Sequence, residues 1–268
     1  MIDVKKLFAE RYPDFSQQHP WLSRGLIVFI RWLWKEKEFK QFHHNNLGAE
    51  GKQLIERGFE YIHFSLTVDA NDRENVPTKG AVVVVANHPI GSLDGLGLLN
   101  LLLELRPDTK VVSNALLYSV PEMRKLMIPV DNMGEGASRQ AIKDIQRHLQ
   151  QGGALLLFPA GKVSRYYSGK LQDPVWQTGF IRLAQKSNTQ IVPVYVDARN
   201  SWLFYLLSIV CFPLSTLWLV HELFRFRNKQ IHAKIGRVMD LHAYPTYDAA
   251  QLTQLVRDAV YSLQRKEE

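Results

Sequence analysis

Apolar runs alternate with helical periodicity along most of the chain. Uninterrupted apolar residues at 81–85 and 154–158 are typical of strands covered on both faces. Segment 137–151 instead spaces its apolar residues three and four positions apart, as one face of a helix requires. Because strand and helix patterns keep alternating, the sequence predicts an α/β fold with a mostly parallel central sheet flanked by helices.

The predicted elements divide the chain into two parts. Predicted strands or extended segments cover 63–68, 81–85, 110–113, 128–131, 154–158, 190–196 and 231–238. Predicted helices cover 19–36, 49–64, 94–106, short pieces within 116–126, then 137–151, 176–186 and 247–265. We assign residues 1–75 to a helical, membrane-associating segment and residues 76–268 to the main α/β domain.

Two further apolar segments do not fit the strand pattern. Segment 19–36 mixes aromatic residues with Arg24 and Arg31, which is typical of a helix lying in the lipid headgroup zone. A helix that packs on its own domain explains the same pattern equally well.

Residues 201–220 contain no charged side chain over about the length of a membrane span. A single crossing would place the predicted strands 190–196 and 231–238 on opposite sides of the membrane, and Pro213 interrupts the segment. The sequence therefore predicts a broken helix or hairpin that lies on one leaflet or lines an acyl-chain cavity. Burial in the protein core is the alternative, and we assign 201–224 to the membrane interface.

Charge and cysteine content narrow the class of partner. A net charge of +7 over 268 residues favours an anionic partner, and the aromatic-rich segments favour a phospholipid surface over a nucleic acid. Cys211 is the one cysteine, so neither an intramolecular disulfide nor a paired-cysteine metal site is possible. The first ten residues lack the apolar core of a secretory signal, so we expect a cytoplasmic protein.

The candidate chemistry begins directly after the apolar run 81–85. His88 and Asp94 follow it, at a junction between strand and helix of the kind where open α/β sheets bind ligands. A histidine there can take a proton from an attacking hydroxyl, and a carboxylate on its other nitrogen would orient it. The alternative is that Asp94 only caps the next helix while His88 fills a turn.

A second loop follows the apolar run 154–158 in the same way. It contains Pro159, Gly161, Lys162 and Arg165, so backbone N–H groups and two cations can hold a phosphate or carboxylate. A basic loop alone is weak evidence for an anion-binding site, because such loops are usually only solvated. A histidine and carboxylate loop together with a cationic loop is much stronger evidence for a functional site.

Together these segments resemble the glycerolipid acyltransferase superfamily. Residues 87–95 are similar to its histidine and aspartate box, 158–165 to its Phe-Pro-Glu-Gly-Thr-Arg-Ser box and 191–194 to its last strand motif. With 199–201 as Arg-Asn-Ser, the chain most resembles the branch of lyso-ornithine-lipid O-acyltransferases and hemolysin-type proteins.

Three positions depart from the superfamily pattern. Five residues separate His88 from Asp94 where four are usual, so the loop must bulge for the pair to meet. Ala160 replaces a common glutamate, and Asn132 replaces an arginine of glycerol-phosphate enzymes, which weakens the case for a phosphate-headed acceptor.

The resemblance implies acyl transfer to a lysolipid hydroxyl from an acyl carrier protein or coenzyme A thioester, with no metal or cofactor. His88 would be the general base, Asp94 would orient it, and donors near Gly91 or Gly161 would stabilise the oxyanion. Lys162 and Arg165 would engage the acceptor head group or the donor's phosphates. The implied substrate-binding residues are Asn87, Gly91, Phe158, Pro159, Gly161, Lys162, Arg165, Arg199 and Asn200.

Other functions stay open at this point. A lipid-binding protein with a decayed site and a thioesterase or lipid hydrolase both fit the same residues. The nucleophile elbow, phosphate loop and zinc helix motifs are missing from the sequence. The expected location is the cytoplasmic side of the inner membrane, bound peripherally or monotopically, and the acceptor stays open among ornithine, glycine and phospholipid types.

Overall fold

A computed structural model of the chain describes residues 4–5, 13–113, 115–130 and 138–264, and it confirms the predicted α/β architecture. Within those residues the central sheet has seven strands and a separate antiparallel ribbon has two. The sheet strands are β1 (Ser65–Val68), β2 (Val82–Ala86), β3 (Lys110–Ser113), β4 (Met127–Pro129), β5 (Ala154–Leu157), β8 (Gln190–Asp197) and β9 (Gln230–Ile235). The ribbon strands are β6 (Arg165–Tyr167) and β7 (Lys170–Gln172).

The helices surround this sheet. They are α1 (Pro13–Gln18), α2 (Pro20–Leu33), α3 (Glu36–Asn45), α4 (Gly51–Ile62), α5 (Ala70–Arg73), α6 (Ser92–Leu105), α7 (Ala115–Tyr118), α8 (Arg139–Gln150), α9 (Gly179–Lys186), α10 (Trp202–Val210), α11 (Phe212–Arg225) and α12 (Ala249–Ser262). Short 3₁₀ helices cover Pro121–Leu126 and Leu241–Ala243.

The strand order is β1-β9-β8-β2-β5-β3-β4. Neighbours from β8 to β4 run parallel, β9 runs antiparallel to β8, and β1 runs parallel to β9. The parallel prediction is therefore correct for five strands, while the two strands at one edge are reversed. In the centre, Val84 pairs with Leu156 on one side and Val192 on the other.

Strand β2 explains why the central apolar runs have no polar alternation. Val82 and Val84 join the core on one face of the sheet, while Val83 and Val85 join the core on the other. The first core packs against α4 and α6, and the second against α8, α9 and α12. All four valines are fully buried, as expected for a strand between two helix layers.

Segment 201–224 forms a helix pair, as the sequence predicts. Helix α10 ends before Cys211, and α11 begins with Pro213 in its first turn, where proline is tolerated because its missing N–H would have no helical partner. Helix α11 contacts α2, and the Trp34 indole N–H donates to the Leu217 carbonyl oxygen at 2.9 Å. No helix in the described ranges is long and apolar enough to cross a bilayer.

Three features differ from the sequence prediction or extend it. Strand β1 belongs to the central sheet although it lies within the segment 1–75, so the proposed boundary falls after an edge strand. The β6–β7 ribbon is not predicted, and helix α9 begins at Gly179 rather than at residue 176. The Gln177 N–H donates to the Pro159 carbonyl oxygen, so the segment before α9 is held against the second loop. Asp131, Asn132, Ala137 and Arg265 lie outside the described residues.

Candidate active site

The candidate site lies where three neighbouring parallel strands end. Asn87 follows β2, Phe158 follows β5, and Asn200 comes three residues after β8. Since β8, β2 and β5 are adjacent and parallel, their carboxyl ends meet at one edge of the sheet. Both predicted loops therefore converge on the same place.

His88 and Asp94 meet despite their long spacing. The Nδ1 atom of His88 lies 3.0 Å from Oδ1 of Asp94, and the carboxylate is fully buried. The contact is at hydrogen-bond distance, but its geometry falls short of a well-formed hydrogen bond. Catalytic hydrogen bonds are often poorly aligned before substrate binds, so the geometry suits a base and its orienting partner.

The bulge that accommodates the spacing is centred on Gly91. Its φ of +96° is in the region that favours glycine. The backbone N–H groups of Ile90 and Gly91 donate to Oδ2 of Asp94 at 2.9 and 3.2 Å, and that of Gly95 donates to Oδ1 at 2.7 Å. Oδ2 of Asp94 thus holds the backbone before α6, while Oδ1 accepts from the first turn of α6 and also faces His88. One residue is therefore both the helix cap and the partner of the histidine.

The surroundings of His88 favour its protonated form. Its ring packs on Phe158 with centroids 4.4 Å apart, and 19% of the side chain stays exposed. Burial lowers the pKa of His88, but the charge and contact of Asp94 and the charge of Asp173 together raise it above the ordinary value. The imidazolium formed on accepting a proton is therefore stabilised in place.

Asp173 is a site residue that the sequence reasoning missed. Its buried carboxylate accepts the His88 backbone N–H at 3.2 Å, the Ser164 hydroxyl at 2.5 Å and the Trp176 indole N–H at 3.0 Å. Burial raises the pKa of Asp173 despite these donors. The residue follows the unpredicted β6–β7 ribbon, and the sequence offers no other signal that it returns to His88.

Two predicted binding residues use their amides within the protein. Asn87 donates to the Val196 carbonyl oxygen at 3.0 Å and accepts the Val196 N–H at 2.7 Å, so it joins the ends of β2 and β8. Asn200 donates to the Pro89 carbonyl oxygen at 3.1 Å, while its buried side-chain oxygen has no partner among the described residues. Both residues hold the His88 loop, and the unpartnered oxygen of Asn200 is a candidate to bind a ligand.

The two cations of the second loop have different environments. Lys162 is exposed at the turn, with its Nζ 5.8 Å from the centre of the Phe212 ring. Arg165 is buried and donates to the hydroxyls of Ser208 and Ser215, each at 3.1 Å. Burial lowers the pKa of Arg165. Arg165 therefore fastens the second loop to α10 and α11, and its predicted contact with substrate stays a prediction.

The two glycines expected near the oxyanion already use their N–H groups. That of Gly91 donates to Asp94, and that of Gly161 donates to the Phe158 carbonyl oxygen at 2.9 Å. The Pro159 carbonyl oxygen accepts the Gln177 N–H at 3.0 Å, from the segment before α9. An oxyanion donor must therefore come from another group or from a rearranged loop.

The outer wall of the site is formed by the helix pair. A Cβ built on Gly91 would lie 3.8 Å from a methyl carbon of Leu219, so α11 packs directly over the bulge. Arg199 is exposed at the base of this wall, and its carbonyl oxygen accepts from the Arg225 guanidinium at 2.9 Å. Within the described ranges, no cluster of three or more histidine, cysteine or acidic residues is suited to a metal.

Comparison with known proteins places this geometry in context. A family model described as "Acyltransferase" matches residues 8–266. A lyso-glycine lipid O-acyltransferase of Phocaeicola vulgatus is 26% identical over 98% of this chain and 95% of its own length. One from Bacteroides thetaiotaomicron is 28% identical over 98% of this chain and 97% of its own length.

A solved structure has a similar fold. The 1-acyl-sn-glycerophosphate (LPA) acyltransferase PlsC from Thermotoga maritima superposes with a TM-score of 0.51 at 18% identity. The match covers 98% of this chain and 95% of that one. At this identity the likeness concerns the fold alone.

Proposed function

Because the chain belongs to the acyltransferase family and is an acyl-transferring enzyme, we propose that it acylates the hydroxyl of an amino-acid-headed lysolipid. The donor in this proposal is an acyl thioester of acyl carrier protein or coenzyme A. The observation that carries it is the 3.0 Å contact between Nδ1 of His88 and Oδ1 of Asp94 at the converging strand ends. A decayed, purely lipid-binding site has no need for that pairing.

In the proposed reaction His88 acts as general base. With Nδ1 turned to Asp94, Nε2 takes the proton from the lysolipid hydroxyl as its oxygen attacks the thioester carbonyl carbon. The tetrahedral intermediate expels the thiolate, the carbon–sulfur bond breaks, and the imidazolium returns its proton to the thiolate. The products are the diacylated lipid and free thiol, so neither an enzyme nucleophile nor a metal is required.

The choice of acceptor rests on two independent observations. The two relatives described above are both named lyso-glycine lipid O-acyltransferases, and both match nearly the whole chain. In addition, Asn132 stands where the resemblance expects a phosphate-binding arginine. The proposed acceptors are therefore lyso-glycine and lyso-ornithine lipids rather than lysophosphatidate and other lysophospholipids. The exposed cations Lys162 and Arg199 are proposed to bind the head group or the donor's phosphates.

We place the enzyme peripherally on the cytoplasmic side of the inner membrane. Large apolar side chains are exposed on α2 and on α10, including Trp21, Trp32, Trp202 and Ile209, each 70–80% exposed. Neither helix contains an acidic residue, and α11 contacts both of them. Aromatic residues with nearby arginines and no acids suit an anionic lipid surface.

The test is a product assay with purified full-length protein in vesicles. Lyso-glycine lipid, lyso-ornithine lipid and lysophosphatidate are each supplied with labelled acyl carrier protein or coenzyme A thioester, and mass spectrometry identifies the products. Diacylated amino-acid lipid is the expected product. Free fatty acid in every reaction would instead identify a hydrolase, and faster acylation of lysophosphatidate would overturn the proposed acceptor.

The role of His88 is tested with a matched substitution. We expect His88→Ala to lower acyl transfer by roughly 10²- to 10⁴-fold, the range of general base catalysis. His242→Ala removes an exposed imidazole after β9 and should keep wild-type activity. Full activity of folded His88→Ala would exclude the proposed base.

A further inference from the structure

We propose that Asp173 is a positioning residue for acyl transfer, which through Ser164 and the backbone of His88 holds the two loops of the site in one arrangement. This inference rests on the proposed role of His88. Neither the sequence motifs nor the named relatives assign a role to Asp173.

The first support is a closed set of contacts between the loops. Asp173 accepts the His88 N–H at 3.2 Å and the Ser164 hydroxyl at 2.5 Å, while the Ser164 N–H donates to the His88 carbonyl oxygen at 2.8 Å. The Ser164 hydroxyl also lies 3.2 Å from that carbonyl oxygen. Its single hydrogen favours the shorter contact, so the carboxylate is what bridges the two loops.

The second support is that the carboxylate is held rigidly in a dry place. Asp173 is 1% exposed, and Oδ2 accepts the Trp176 indole N–H at 3.0 Å. Its backbone N–H donates to the Tyr261 hydroxyl at 2.8 Å, and its carbonyl oxygen accepts from Arg257 at 3.1 Å. A buried carboxylate whose side-chain contacts are all to neutral donors is costly for the fold, so its position beside the candidate base calls for a functional reason.

The third support is its effect on the imidazole. The negative charges of Asp94 and Asp173 both raise the pKa of His88 against the opposing effect of burial. The other titratable groups that face Asp173 are Tyr195 on β8 and Tyr261 on α12, with Arg257. Burial raises the pKa of Tyr195 to about 12 and that of Tyr261 further, so both stay neutral near neutral pH. Neither tyrosine therefore contributes to the pH profile near neutrality.

The experiment compares Asp173→Asn and Ser164→Ala with Asp72→Asn in the full-length protein. Asp72 on α5 is the matched control because its carboxylate also accepts a backbone N–H, that of Ile235 at the end of β9, at 3.1 Å. The measurements are kcat, the KM of each substrate and the melting temperature. The pH dependence of kcat/KM is also recorded, and its acid limb is the fall in kcat/KM at low pH, where protonated His88 is inactive.

Distinct results are expected for each variant. Asp173→Asn should lose roughly 10- to 100-fold in kcat, the scale of a small misplacement of catalytic groups, with little change in KM. Its acid limb should move to lower pH because one charge beside His88 is gone. Ser164→Ala should lose kcat without moving the limb, since it keeps the charge and breaks only the bridge, and Asp72→Asn should match wild type.

Two outcomes would overturn the proposal. One is folded Asp173→Asn with wild-type kcat and acid limb. The other is a loss of kcat that only tracks the loss of folded protein, while the acid limb of the kcat/KM profile stays where it is. That result is expected of a residue with a purely structural role. If Asp173→Asn does not fold, the Ser164→Ala variant tests the proposal instead. Wild-type kcat in folded Ser164→Ala would exclude the bridge between the two loops. Undiminished activity of His88→Ala identifies a different failure, that of the proposed base itself.

Discussion

Ser164 and His88 are joined across the two loops of the site by a 2.8 Å hydrogen bond from the Ser164 N–H to the His88 carbonyl oxygen. The residues are distant in sequence but follow adjacent strands. Because of this bond, the loop with the base and the loop with Lys162 cannot move independently. Changes that distort the backbone of one loop are therefore expected to displace the other loop as well.

Asp94→Asn tests the charge beside the base. Asp94 raises the pKa of His88, and without its charge the opposing effect of burial dominates, so the pKa falls. The acid limb of the kcat/KM profile, where protonated His88 is inactive, should move to lower pH. The rate at the optimum should fall by roughly 10²- to 10⁴-fold because the imidazolium loses its partner. An unmoved acid limb would show that the profile reports another group.

Gly91→Ala tests the bulge that joins His88 to Asp94. Space exists for the new Cβ, whose nearest neighbour is 3.6 Å away, but the φ of +96° strains any residue with a side chain. We expect a loss of about 1–3 kcal/mol in the free energy of unfolding, together with lower kcat. Gly58→Ala within α4 is the control, since its Cβ meets one carbon at 3.8 Å, and it should be neutral or stabilising. Equal behaviour of the two variants would contradict the strain argument.

Lys162→Ala and Arg165→Ala should separate binding from support. Exposed Lys162 is expected to raise KM by roughly two- to fivefold when lost, the scale of an exposed charge contact, at unchanged melting temperature. Arg165→Ala should instead lower the free energy of unfolding by about 1–3 kcal/mol, because the buried Arg165 side chain packs under Phe212 and donates to Ser208 and Ser215. A higher KM for Arg165→Ala at full stability would restore its predicted contact with substrate.

Substitutions on α10 test the proposed membrane surface. Trp202 and Ile209 are each 74% exposed, so Trp202→Ser with Ile209→Ser should leave the fold intact. Binding to anionic vesicles should weaken by roughly tenfold or more, as expected from the apolar area removed from lipid contact. Tyr247→Ser alters an exposed aromatic residue beside α12 and should bind like wild type. Unchanged sedimentation of the double variant with vesicles would exclude this surface.

The sequence predicted the parts of the fold that follow from local periodicity. The all-valine run of β2 and the amphipathic pattern of α8 each predict one element, and adjacent parallel strands then bring His88 and Lys162 to one edge. The antiparallel direction of β9 could not be predicted in this way, because the apolar pattern of a strand is the same whichever way the strand runs. Asp173 was missed for a related reason: its contacts depend on the path of the β6–β7 ribbon, which no local pattern encodes.

The antiparallel pairing of β8 with β9 has a consequence for how this molecule can change. Antiparallel neighbours need only a tight turn between them, yet residues 198–229 make a long excursion that contains both helices of the outer wall. The pairing of β8 with β9 therefore places little constraint on the length of that excursion. It can be lengthened or shortened while the strands that carry the candidate site keep their places.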